Sequence, residues 1–184
     1  MSLLTAENIS LRRMNSDDVA SFVDRYDSFS EDDPYWPHFF ASESALQSKI
    51  AEDGFWSEDR GLLLICPKTY GDFIGFVSFG KTIAYYPHAR EVTIRIFEKE
   101  NRRKGYAMES LKLFSRFCYE SFPLERLWAG TSTKNQATCR LFESAGYKLE
   151  GVWRKGLYIR GEYHDENIYS WLRSDYLGKD LPQN

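Results

Sequence analysis

Arg102-Arg103-Lys104-Gly105-Tyr106-Ala107 lies between a run that alternates like a strand, Arg90 to Phe97, and a run with helical spacing, Met108, Leu111, Phe114, Phe117 and Cys118. A turn of this composition at this place reads as an anion cradle. Gly105 can adopt backbone conformations that a Cβ hinders, so successive N–H groups can converge on an acidic oxygen. The helix that opens here adds its unpaired N–H groups and the positive end of its dipole. Arg102, Arg103 and Lys104 add charge at the same point. Taken by itself, the hexapeptide reads as a basic turn that only caps a helix. The other phosphate signatures, GxGxxG and GxxxxGK[ST], are absent from the chain.

Outward from this turn the chain alternates strands and helices. In the strand before it, Val92, Ile94 and Ile96 share one face, and Glu91, Thr93, Arg95 and Phe97 share the other. Upstream, Leu62 to Cys66 and Asp72 to Gly80 read as antiparallel strands separated by turn chemistry. Earlier still, Ile9 to Met14 alternates as a half-buried strand. Asn15-Ser16-Asp17-Asp18 then caps a helix carrying Val19, Phe22, Val23 and Tyr26 on one face. Ser30 to Phe40 is an acidic and aromatic loop with two prolines, and a second helix runs from Ser42 to about Glu52. Downstream come a strand, Arg126 to Thr131, and a helix, Gln136 to Ala145, stopped by Gly146. Tyr147 to Trp153 and Glu166 to Leu172 read as closing strands. This order implies a mixed α/β layer with a helix N-terminus aimed at its centre, and a single domain over residues 1–184 accounts for it.

Composition excludes several classes. The 184 residues carry 24 Lys+Arg against 27 Asp+Glu, a net charge of −3, without the basic excess that gripping duplex phosphates demands. Nucleic acid is therefore not an expected partner. Cys66, Cys118 and Cys139 are widely spaced, with no CxxC pair and no Cys/His cluster, so no metal and no disulfide framework are expected. No apolar run approaches the ~18 residues of a membrane helix, and the first residues lack the basic and apolar regions of a secretory signal. A cytoplasmic protein with no membrane partner is the expectation. His38, His88 and His164 stand apart from one another without triad order.

After Gly105 come Asn135-Gln136-Ala137-Thr138, Leu141-Phe142-Glu143, Ala145-Gly146-Tyr147 and Glu150-Gly151. An RxxGxA turn opening a helix, followed by N-x-A-[S/T], (F/L)-E-x-x-G-[F/Y] and E-G, resembles the GNAT superfamily of N-acetyltransferases. Within it the chain is similar to the RimJ/RimL-like branch of ribosomal-protein acetyltransferases, which also contains spermidine acetyltransferases. Leu11-Arg12-Arg13-Met14 with Asp18, and Gly161 to Asp165 leading into the last strand, are similar to that branch too.

The resemblance implies a mostly antiparallel mixed sheet, flanked by helices, with a central parallel strand pair that splays apart. Acetyl-CoA, the acetyl donor, lies in the gap. It implies that the main chain of Arg95, Ile96 and Phe97 pairs with the pantetheine arm. The pyrophosphate rests on the turn formed by Arg102, Arg103, Lys104, Gly105, Tyr106, Ala107 and Met108, and Asn135 contacts the pantetheine. The reaction is direct attack of an amine on the thioester in a ternary complex, the acceptor being a small-molecule amine or a protein N-terminus. Since a lysine-like amine has a pKa of about 10.4 and an α-amine about 8, the acceptor must lose a proton to react. Glu91 is the candidate general base, set against its reading as a solvent-facing strand carboxylate paired with Arg90 or Arg95. Many superfamily members protonate the leaving thiolate with a tyrosine, where this chain has Phe142. Thr138 is the remaining matched hydroxyl, and it reads equally as an early-helix residue bonding backbone. Glu31, Asp32 and Asp33, with Tyr35 and Trp36, sit where the family places its acceptor wall, or form a solvated cap. The sequence leaves a homodimer open. The competing functional class is a non-catalytic acyl-CoA-binding or regulatory module on the same fold.

Overall fold

A computed structural model describes residues 2–37, 39–69, 71–81 and 87–180. His38 lies outside the described residues. Eight strands form one sheet: β1 (Ser2–Thr5), β2 (Ile9–Arg13), β3 (Arg60–Pro67), β4 (Gly75–Gly80), β5 (Ala89–Ile96), β6 (Arg126–Ser132), β7 (Lys148–Ile159) and β8 (Glu162–Leu172). The order across the sheet is β1-β2-β3-β4-β5-β6-β8-β7, and β5–β6 is its parallel pair amid antiparallel neighbours. The expected mixed, mostly antiparallel sheet is therefore present.

Helices cover both faces. α3 (Tyr106–Ser121) and α4 (Gln136–Ala145) bury one face, in a core holding Leu63, Ile65, Ile94, Phe114, Leu127 and Phe142. α1 (Val19–Asp32) and α2 (Glu43–Asp53) cover the other, over Leu62, Leu64, Phe76 and Phe97. This is why β3 is apolar at four successive positions: both of its faces are inside. A fifth helix, α5 (Arg173–Asp180), and the edge strand β1 lie beyond the elements read from sequence.

The parallel pair is short. Its register covers Ala89↔Arg126, Arg90↔Leu127 and Glu91↔Trp128. Beyond that point β5 continues to Ile96 beside β4, while β6 continues to Ser132 beside β8. Two strands that each keep an outer partner but lose one another leave a V-shaped opening in the middle of the sheet.

Several boundaries differ from the sequence reading; β4, for one, begins at Gly75 and not at Asp72. α1 runs on through Glu31 and Asp32, which were expected in a loop. Asp33 precedes Pro34, which disfavours helical geometry for it, and so the chain leaves the helix there (φ −83°, ψ 116°). The closing strands are longer than expected and form a hairpin across Arg160 and Gly161, both at positive φ. Arg154-Lys155-Gly156 lies beyond the Trp153 end expected for the strand and forms a bulge within β7, where the register shifts between Trp153 and Leu157. Among the described residues no helix is long and apolar enough to cross a membrane.

Candidate active site: the opening between two parallel strands

A cleft of about 670 Å³ occupies the opening. It brings together Glu91, Arg95, Ile96, Arg102, Arg103, Gly105, Tyr106, Ala107, Met108, Asn135 and Thr138, with Asp33, Tyr35 and Trp36 at its other side. Phe97, Lys104, Glu31 and Asp32 do not line it.

Main-chain polarity explains what β5 offers. The N–H of Phe97 donates to the Ile74 carbonyl at 2.9 Å, so the odd-numbered residues of β5 bond toward β4. Alternation then turns the N–H groups of Val92, Ile94 and Ile96 toward the opening. Two carbonyls of the strand's end accept from guanidinium groups: Arg95 Nη1 donates to Ile94 O at 2.6 Å and Arg102 Nε to Ile96 O at 3.2 Å. Arg102 Nη2 also donates to Phe97 O at 2.9 Å. Arg102 thus braces the end of β5, while Arg103 and Lys104 are the exposed cations of the turn. Phe97 has a structural place: its ring is buried against Phe22, Phe29 and Phe76.

Gly105 is the N-cap of α3 at φ 85°, and Arg103 before it is at φ 61°. This left-handed geometry is why glycine stands at position 105, and the space in front of its Cα is open, with no atom within 4 Å of where a Cβ would lie. At the start of α4, Asn135 Oδ1 accepts from the N–H of Thr138 at 3.2 Å, which leaves the amide nitrogen of Asn135 to meet a ligand. Thr138 is half-buried and faces the cleft. Phe142, one turn on, lines the cleft but is 1% exposed and stacks on Tyr169.

The opposite face of the sheet is differently furnished. Glu91, Thr93 and Arg95 point away from α3 and α4, under the segment after α1. The Arg95 guanidinium sits 3.7 Å over the Trp36 ring, and Trp36 Nε1 donates to the Tyr26 hydroxyl at 3.3 Å. Desolvation lowers the Arg95 pKa to about 10, opposed by Asp33, Tyr26 and Glu91, so the guanidinium remains charged at neutral pH. Asp33 Oδ1 accepts from the Tyr35 N–H at 2.9 Å, fixing the loop where it enters the cleft. Asp32 is instead an exposed partner of Lys99 at 2.9 Å, which holds its carboxyl below the usual range. Glu31 is exposed, and its carbonyl accepts from Arg160.

The sequence reading missed Glu166. It lies on β8 opposite Ser132, is 9% exposed, and turns its carboxyl into the cleft. Burial raises its pKa to about 7, with a further push from Glu91. The available signal was a carboxylate on the same face as Ile168 and Ser170, on a strand that turns Tyr169 and Trp171 to the other side, but only the pairing of β8 with β6 shows that this face meets the opening.

A profile of the acetyltransferase (GNAT) domain matches residues 8–148. The chain belongs to the GNAT acetyltransferase family. Like other GNAT members it is an acetyl-CoA-dependent N-acetyltransferase. It is 24% identical over 176 residues to the uncharacterized N-acetyltransferase YoaA of Bacillus subtilis, covering 93% of this chain and 97% of that protein. The probable N-acetyltransferase YjcK of the same organism is 30% identical over 78 residues, and that match spans 43% of YjcK. RimL, a ribosomal L7/L12 α-N-protein acetyltransferase solved with coenzyme A, superimposes with a TM-score of 0.77 at 16% identity, over 94% of this chain and 98% of that one. At that identity the likeness is one of fold. Among the described residues no cluster of His, Cys, Asp or Glu is placed to hold a metal ion.

Proposed function

We propose that the chain, as one domain, transfers the acetyl group of acetyl-CoA directly to a primary amine, with both substrates in the opening at once. The observation that carries this is the two-sidedness of β5. Its main-chain donors face the gap, the N-termini of α3 and α4 lie on one side, and Glu91, Asp33, Tyr35 and Trp36 lie on the other. The pyrophosphate of the donor suits the cationic, N–H-rich side. A cationic amine suits the carboxylates and rings. In this reading the N–H of Ile96, which faces the opening, is the donor to the oxyanion. In this reading the acceptor is a small-molecule amine or a protein N-terminus, and the chain stands with the RimJ/RimL-like branch. Thr138 hydrogen-bonds the leaving sulfur, because Phe142 has no hydroxyl.

The test is release of free CoA from acetyl-CoA with a panel of polyamines, aminosugars, amino-acid amides and N-terminal peptides, with mass identification of the product. Binding of acetyl-CoA without turnover of any amine would instead support the acyl-CoA-binding module.

Three variants probe the parts. Asp33→Asn removes the carboxylate that borders the cleft, and the expected result is a rise in acceptor KM of about fivefold with the acetyl-CoA KM unchanged. Glu31→Gln with Asp32→Asn is expected to leave both constants alone, since neither residue lines the cleft; steady-state kinetics with the identified acceptor decides it. Thr138→Val keeps the branched shape and deletes the hydroxyl. Its kcat is expected to drop about tenfold with little change in either KM, as when a bond made only in the transition state is lost. A parental kcat would assign the leaving-group proton to water or another side chain.

A further inference from the structure

We propose that Glu166 takes the proton from the attacking amine, while Glu91 across the opening holds the incoming ammonium. The inference rests on the acetyltransferase reading above and assigns the base within that same site.

Position is the first argument. Glu91 is in register with Trp128, and the alternation of β6 puts Gly130 on the same face as Trp128. On β8, Ser132 pairs with Glu166 and Gly130 with Ile168, so Glu166 projects from that face also. All of these point away from α3 and α4, toward the side where Asp33 and Trp36 lie. Glu166 is therefore on the acceptor side of the sheet, not the donor side.

The second argument is that the carboxylate sits in a niche shaped for it. A Cβ at Gly130 would lie 2.0 Å from Glu166 Oε1, and one at Gly156 would lie 2.9 Å from Oε2. Two strands thus give up a side chain to make room for one carboxyl group. Among the described residues no side-chain hydrogen bond or ion pair acts on that group; what acts on it is burial and the Glu91 charge. A carboxylate 9% exposed and without a cation is costly to keep, and its open side is the cleft.

The surroundings suit proton transfer near neutral pH. The charged group that acts on Glu166 is Glu91 from β5; Gly130 on β6, and Trp153 and Gly156 on β7, carry no charge. Arg154 and Lys155 of β7 are exposed, and His164 shares the β8 face two residues back. Burial, reinforced by Glu91, raises Glu166 to about 7, within the range that makes an effective base at physiological pH.

The step balances simply. The bound ammonium gives one proton to Glu166, and the nitrogen lone pair forms the N–C bond at the thioester carbonyl. Collapse of the tetrahedral intermediate breaks the C–S bond, the second nitrogen proton reaches the thiolate, and Glu166 returns its proton to solvent.

The experiment compares the parent with Glu166→Gln, Gly130→Ala and Glu91→Gln, using an amine accepted in the panel. Glu166→Gln is expected to lower kcat by about a hundredfold or more, with the acetyl-CoA Kd from calorimetry within about threefold. The acid limb of kcat/KM, centred near pH 7 in the parent, is expected to vanish. In Glu91→Gln that limb moves to lower pH. Gly130→Ala leaves the carboxyl chemistry intact and evicts it from its niche, so kcat is expected to fall here too. One readout needs no turnover. With protein labelled by 13C at the glutamate carboxyls, one resonance should titrate near pH 7 in the parent and be missing in Glu166→Gln. Stability gives the same sign: the unfolded chain releases this proton near pH 4.5 and the folded one near 7, so parental Tm should decline across that window and the glutamine variant should lack that part of the slope. A Glu166→Gln protein that keeps the parental kcat and acid limb, or the titrating resonance, overturns the assignment. A parent that binds acetyl-CoA but releases no CoA with any amine overturns the acetyltransferase reading, and the base assignment falls with it.

Discussion

Glu in place of Gly105 is expected to weaken acetyl-CoA binding by about thirtyfold or more while the protein stays folded. Three effects act together. A residue with a Cβ at φ 85° carries about 1–2 kcal/mol of left-handed strain, which presses the turn toward another shape. The new carboxylate also faces the pyrophosphate. Two unit charges ~4 Å apart repel by about 1 kcal/mol in water and about 4 kcal/mol at the surface of a protein, where the effective dielectric is lower. It also competes for the N–H groups at the start of α3 that the pyrophosphate needs. Folding survives because no atom lies within 4 Å of the new Cβ. Gly105→Ala separates the contributions, since it has the strain without the charge, and its affinity loss should be several-fold smaller. Calorimetry with acetyl-CoA on both variants, beside a thermal melt, is the measurement. An undiminished affinity in folded Gly105→Glu would remove the anion cradle from the site.

The parts of the fold that were readable are those where burial acts on one strand or helix at a time. The alternation of Val92, Ile94 and Ile96 against Glu91, Thr93 and Arg95 is visible in sequence because one face of β5 packs on α3 and the other meets the cleft. α4 is bracketed by Asn135 and Gly146, and both caps are present. The β7–β8 hairpin was harder. Residues 148–157 are exposed save for Leu157, so no periodicity marks the strand past Trp153, and the bulge that carries Lys155 at φ 57° has no local signal. The last turn of α1 was missed because Glu31 and Asp32 are as polar as the loop that follows. The side of the site proposed for the donor follows a contiguous motif, and the cleft gathers most of it. The acceptor side does not. Glu166 belongs to it only because β6 and β8 are neighbours, and because Gly130 and Gly156, distant in the chain, vacate the same few cubic ångströms. A property that depends on three strands in register has no local signature.

Phe142 joins core and cleft, and Phe142→Ala is expected to cost about 3–5 kcal/mol of stability, the range for truncating a buried aromatic ring. The ring is 1% exposed and lies 5.6 Å from Tyr169 at an interplanar angle of 28°, and 5.4 Å from Tyr147. Its neighbours cannot easily collapse into the space. The Tyr147 hydroxyl is tied to Ser115 of α3 at 2.8 Å, and the Tyr169 hydroxyl donates to Glu143 at 3.1 Å. For a chain of this length the loss corresponds to a Tm lower by about 6–20 °C. Since the ring also lines the opening, the variant should bind acetyl-CoA more weakly even at temperatures where it is folded. Phe142→Tyr distinguishes the two duties of the position. If the para carbon faces the cleft, the new hydroxyl is solvated, stability changes little, and the Thr138→Val background should regain part of its kcat. If it faces the core, a buried hydroxyl without a partner costs about 1–3 kcal/mol and no rate returns. Thermal melts of both variants, with kcat of the Thr138→Val, Phe142→Tyr pair, separate these outcomes. A Phe142→Ala protein melting within a degree or two of the parent would show that α4 is not anchored through this ring.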